Sequence, residues 1–128
     1  MADVTHDVTD LENAYRVAFA STDGKNVNVH FGRADKFFIY LINDEEGYDF
    51  VEQRKVTPIC LGGRHEHTKM EENTSLFTDC KYVAASRVGN GAAASLSAKK
   101  ITAMELPGTV EEAILKIWKY NRVQGLFK

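Results

Sequence analysis

The chain has 128 residues, 44% hydrophobic and 27% charged, the size and composition of one compact domain with a real core. A formal charge of −2 and a pI near 6.1 give no global attraction to nucleic acid or to an anionic membrane, which argues against partners of either kind. The first residues show no basic and apolar leader pattern, and no later run approaches the roughly 18 apolar residues of a membrane span, so the expected location is the cytoplasm.

Residues 1–14 carry Asp3, Asp7, Asp10 and Glu12 and little apolar content beyond Val4, Val8 and Leu11, which reads as a flexible acidic N-terminal tail. Residues 14–20 are largely apolar and end in the turn formers Ser21, Thr22, Asp23 and Gly24, the pattern of a first, central strand. A second strand is expected over 37–42. An acidic turn with Gly47 and a polar-apolar alternation over 48–56 make the third strand its hairpin partner. Residues 59–67 have no apolar period, and Gly62 and Gly63 among polar groups predict a loop.

Residues 68–77 predict a helix with Met70, Leu76 and Phe77 facing inward. A strand over 81–86, a turn over 87–91, an alanine-rich helix over 92–99 and a strand over 101–106 form a strand-helix-strand unit, so those strands should be parallel with a right-handed crossover. Pro107 and Gly108 then stop the strand. Thr109 with Glu112 is a capping-box pattern, and Val110, Ala113, Ile114, Ile117 and Trp118 share one helical stripe, which assigns Trp118 to the core. Residues 121–128 read as a short C-terminal tail, leaving 15–120 as the folded domain.

The chemistry-bearing candidates lie between these elements. His30 sits between apolar neighbours and Gly32. A neutral imidazole nitrogen binds borderline metals and iron-sulfur species near neutral pH, and Gly32 leaves room for a bulky group to approach the backbone. A plain turn-packing role for His30 is the alternative. Only two cysteines are present, Cys60 and Cys80, too few for a disulfide framework or a permanent four-thiolate cluster, so any metal site must mix ligand types or borrow them.

Strand direction decides which candidates meet. With the second strand antiparallel to the first, its start, with His30, lies beside the first strand's exit at Ser21 to Asp23. The third strand then runs parallel to the first and delivers Cys60, His65 and His67 to the same edge, where the fourth exits at Ser86 to Gly91. Ligands of open α/β sheets gather at such an edge. Backbone N–H groups at Gly89 to Gly91 are placed to cradle an anion with help from the helix dipole, the alternative being that these glycines only make a tight turn.

Ser21, Asp23-Gly24, His30-Phe31-Gly32, Cys60-x-Gly62-Gly63-x-His65, Asp79-Cys80, Gly89-x-Gly91-Ala92 and Gly108-Thr109-Val110-Glu111-Glu112-Ala113 together resemble the dinitrogenase iron-molybdenum cofactor biosynthesis family over about residues 15–120. The resemblance implies a ribonuclease-H-like α/β fold, a mixed five-stranded sheet of order 3-2-1-4-5 with strand two antiparallel and helices on its faces. It also implies transient binding of iron-molybdenum cofactor or an iron-sulfur precursor, with cofactor-assembly or nitrogenase proteins as partners. His30 matches the family's expected cluster contact, and Cys60 and His65 match its Cys-x-Gly-Gly-x-His form. His67 departs from the pattern and enters as a metal ligand on proximity alone.

The radical S-adenosylmethionine part of the family's cofactor-precursor synthase is absent, which leaves carrying or holding a cluster, without catalysis, as the expected function. One imidazole and one thiolate suit reversible capture of a cluster whose irons are already held by sulfide, and Arg33, Arg64 and Arg87 would offset its negative charge. Cys80 is expected to be a small buried residue. The alternative is a metal-binding module with zinc on Cys60, His65, His67 and His30, or a protein-interaction module, unrelated to nitrogenase. An enzyme is disfavoured, since Asp23 is the only acid at a central strand end, with Ser86 and Leu106 at the others. A monomer or weak homodimer is expected, because the edge strand over 48–55 can pair with a second copy.

Overall fold

The structure, a computed structural model, describes residues 14–43, 47–58 and 66–126. Its first strand, β1 (Ala14–Ala20), is central, and its last four residues are buried because both its faces are covered. Val17 and Phe19 enter one core, Ala18 and Ala20 the other, the period-two alternation of a strand. β3 (Lys36–Asn43) pairs antiparallel with β1, and β4 (Gly47–Lys55) antiparallel with β3. β5 (Cys80–Ala85) and β6 (Thr102–Glu105) add in parallel on the other side. The five-stranded order is β4-β3-β1-β5-β6, with β3 alone running against the rest. A mixed five-stranded sheet with helices on its faces is what the sequence leads one to expect.

Helices α1 (Glu66–Ser75) and α2 (Asn90–Ala98) cover one face, where Phe31, Phe37, Phe77, Leu96 and Ile101 are closed to solvent. α3 (Val110–Leu126) covers the other through Val110, Ala113, Ile114, Ile117 and Trp118, the stripe read from the sequence. Trp118 is 6% exposed, and its indole N–H donates to the Asn43 carbonyl oxygen at 2.7 Å. Among the described residues no helix is long and apolar enough to cross a membrane.

Three features differ from the sequence reading. Leu76, expected inward, is 47% exposed, because α1 stops at Ser75 and the following turn brings Phe77 into the core instead. α3 continues to Leu126, so the segment read as a tail from residue 121 extends the helix. Two two-residue strands, β2 (Asn26–Val27) and β7 (Gly108–Thr109), pair antiparallel into a small second sheet.

One long-range tie braces the far edge. Arg54 on β4 donates two hydrogen bonds to the Asp79 carboxylate, at 2.9 and 2.6 Å, and a third to the Leu76 carbonyl oxygen at 2.7 Å. The bidentate pair raises the Arg54 pKa and holds the Asp79 carboxyl below the usual carboxylate range. Next to it Cys80 is buried, and burial, then the Asp79 charge, pushes its thiol up to about 12. This cysteine opens β5, at the end opposite the strand exits, and is the small buried residue expected of it.

Candidate functional site on the strand-exit rim

The exits of β1, β4, β5 and β6 share one rim, because Ala20 pairs with Phe37 and Lys36 with Lys55 across β3, while β5 and β6 run parallel to β1. The β1 exit is a tight turn organised by Asp23. Its Oδ1 accepts the N–H of Lys25 at 2.8 Å and of Asn26 at 3.0 Å, and its Oδ2 accepts from the Asn26 amide at 3.0 Å. These donors favour the charged form and hold the carboxyl well below the usual range, the Lys25 and Asn26 backbone N–H groups first. Gly24 is required here: its φ is 77°, and a Cβ would lie 2.8 Å from the Phe38 ring.

The chain then crosses to the β5 exit. Asn28 remains tied to β1, accepting the Thr22 N–H at 3.1 Å and donating to the Thr22 hydroxyl at 2.9 Å. Val29 and Phe31 instead bond to β5: Ser86 N–H donates to the Val29 carbonyl at 3.0 Å, and Phe31 N–H to the Arg87 carbonyl at 2.9 Å. His30 thus forms a parallel bridge with Arg87. Phe31 fastens the segment from below, 2% exposed, with its ring 5.5 Å from Phe37 and 6.4 Å from Phe77. The single 3-10 turn Phe31–Arg33 carries Gly32 and exposed Arg33. Anchored by a buried aromatic on one side and a strand on the other, the His30 imidazole faces solvent.

Beyond Arg87 the Val88 N–H donates to the Glu105 carboxylate at 2.9 Å, and Gly89 begins α2. Gly89 is the N-cap residue and supplies no side-chain cap, so the first N–H groups of α2 point to the rim without one. Its φ of −67° is open to any residue, and a Cβ there would meet none of the described residues within 4 Å. A Cβ at Gly91 would meet, among the described residues, only Met70 Cε, at 3.8 Å. Among the described residues neither glycine is demanded by a positive φ or by close packing. They leave open space, among the described residues, before a helix N-terminus.

The structure brings together His30, Gly32, Gly89 and Gly91 of the expected set, with Arg33 and Arg87. Cys60, His65 and Arg64 lie outside the described residues, and His67 falls in the first turn of α1 with its side chain outside them. Among the described residues no three His, Cys, Asp or Glu side chains are grouped to hold a metal ion. The bridge between His30 and Arg87 was not foreseen, since the sequence reading set His30 beside the β1 exit. A short polar segment crossing from one parallel strand to the next has no periodicity of its own.

The model of the family described as dinitrogenase iron-molybdenum cofactor matches residues 13–120. The chain is 27% identical over 112 residues to the FeMo cofactor biosynthesis protein NifB of Chlorobaculum tepidum, covering 88% of this chain and 26% of that protein. It is 32% identical over 97 residues to protein NifY of Klebsiella pneumoniae, covering 75% of this chain and 40% of that protein. It thus spans between about a quarter and two fifths of the length of these two curated relatives. The NMR structure of a NifB-type protein from Thermotoga superposes with a TM-score of 0.55 at 28% identity, covering 82% of this chain and 88% of that one.

Proposed function

The chain belongs to the dinitrogenase iron-molybdenum cofactor family, and from that premise we propose that it is a non-enzymatic carrier that holds iron-molybdenum cofactor, or an iron-sulfur precursor of it, during cofactor assembly. The observation that carries the proposal is the exposed His30 imidazole fixed beside the N-terminus of α2, which begins without a side-chain cap. Imidazole is a ligand for iron, and the neighbouring N–H groups with the helix dipole favour the anionic sulfide surface of a cluster. Arg33 and Arg87 add positive charge on the same rim. Cys60 and His65 are the further ligands this function calls for. A cargo bound through few protein ligands is released when a partner supplies better ones, which suits a cytoplasmic carrier working between assembly proteins and nitrogenase.

The test is anaerobic incubation of the protein with extracted cofactor, followed by gel filtration and absorption spectroscopy. The wild type is expected to emerge coloured, with His30→Ala, Cys60→Ala and His65→Ala each weakening uptake on the order of tenfold or more, the equivalent of about 1.4 kcal/mol. A colourless wild type, or stoichiometric zinc without sulfide in protein purified without chelator, refutes the carrier.

A further inference from the structure

The corner between the start of α3 and the strands β3 and β4 lies on the sheet face opposite α1 and α2, and it holds a cleft of about 340 Å³. That volume is at the lower end of the roughly 300–1,000 Å³ of small-molecule sites. One wall is a seam whose backbone is fixed at three points. The Asp23 carboxylate accepts the Lys25 N–H at 2.8 Å, the Lys25 carbonyl accepts the Val110 N–H at 2.8 Å, and Asn26 pairs with Thr109 in the small second sheet. The other wall is aromatic. Tyr40 stands edge-on to the fully buried Phe19 with ring centres 5.5 Å apart, and Tyr48 lies 6.1 Å from Trp118 and 6.3 Å from Tyr40. Walls braced in this way are formed before a ligand arrives, which lowers the cost of binding.

The lining is charged as well as aromatic. Lys25 and Glu111 both border the cleft, on the seam side. Among the described residues the Lys25 ammonium and the Glu111 carboxylate form no ion pair, with each other or with a third group, and the Tyr40 and Tyr48 hydroxyls make no hydrogen bond. Burial, followed by the charges of Tyr48 and Glu111, raises the Tyr40 pKa, so that hydroxyl keeps its proton and stays a donor at neutral pH. A purely apolar guest would desolvate both charges without a partner, and a guest with a single charge would be repelled by one of them. A molecule carrying one charge of each sign on an apolar body satisfies both and rests that body against the rings.

We propose that this cleft binds a free α-amino acid with an aromatic or branched apolar side chain, its carboxylate toward Lys25, its ammonium toward Glu111 and its side chain against Tyr40 and Tyr48. The site does not depend on the cluster-holding role of the His30 rim, so failure of either leaves the other standing. The test is titration of the full chain with L-phenylalanine, read by the fluorescence of Trp118, the only tryptophan in the sequence. Equilibrium dialysis of labelled L-phenylalanine covers the case of a silent indole. Half-saturation is expected at or below about 1 mM. L-phenylalanine methyl ester, which lacks the carboxylate, and N-acetyl-L-phenylalanine, which lacks the ammonium, should each bind about fivefold more weakly, the upper end for one solvent-facing ion pair.

Two variants assign the charges. Lys25→Met should bind L-phenylalanine about fivefold more weakly and no longer distinguish it from the ester, while still rejecting the N-acetyl compound. Glu111→Gln should do the converse. Both residues are exposed, so both variants should fold, with the near-ultraviolet dichroism of Trp118 as the check. No binding by either method up to about 10 mM overturns the proposal. So does equal affinity of the wild type for all three compounds, and so does unchanged discrimination among them in both variants.

Discussion

Helix α3 begins with its leading N–H groups occupied, whereas helix α2, on the same rim, begins without a side-chain cap among the described residues. At α3 the Thr109 hydroxyl accepts the Glu112 N–H at 3.0 Å, the Glu112 carboxylate accepts the Thr109 N–H at 3.0 Å, and the Val110 N–H donates to the Lys25 carbonyl at 2.8 Å. The Asp23 turn holds Lys25 in place for that last bond. Gly108 is part of the same device, since its φ of 130° suits glycine and a Cβ there would lie 2.6 Å from Glu112 Oε1. At α2 the N-cap is Gly89, with a φ of −67°, no side-chain cap and no described residue within 4 Å of where its Cβ would be. A helix terminus that only has to be stable is closed by the chain itself; one left without a cap keeps its partial positive charge available to an anion.

The largest effect should come from Gly108→Ala, which forces a side chain into the left-handed region and onto Glu112. It is expected to lower stability by about 1–3 kcal/mol in urea unfolding, whereas Gly89→Ala should cost less than about 1 kcal/mol. Equal midpoints for the two variants would remove the contrast. Gly89→Asp gives α2 the cap it lacks. It should raise stability by about 0.3–1 kcal/mol through the cap and the dipole, while weakening cluster uptake by placing a negative charge where the anion sits. Unimpaired uptake would move the cargo away from this rim.

The smallest effect is the acid dependence of the Asp23 turn. Its folded pKa is depressed, so its stabilisation is complete above the unfolded value of about 3.9 and is lost as pH falls through that value toward the lower folded one. The gap in unfolding midpoint between the wild type and Asp23→Ala should therefore stay constant from neutral pH to about 5 and narrow below about 4. A gap that widened on acidification would show that the carboxylate is not what holds the turn.

What could be read before folding was local. The burial of β1 follows from seven largely apolar residues bounded by turn formers, and the start of α3 from Thr109 and Glu112 three residues apart. Leu76 was misassigned because helical period was carried one residue past Ser75, into a turn where period has no meaning. Asn26 and Val27 are too short a strand to leave a pattern, and Thr109, their neighbour in the second sheet, carries a helix-start signal instead. The Arg54–Asp79 pair is separated by 25 residues, and nothing near either one announces the other.

Helix caps, apolar stripes and turn residues act within a few positions of one another, so the sequence alone determined the main elements and the alternation that buries β1 on both faces. Only the assembled sheet decided that His30 lies against Arg87 near the start of α2, and that Arg54 meets Asp79. Those neighbours are distant along the chain. Their meeting depends on strand order and on how much of each face the helices cover, quantities that no local window of residues contains.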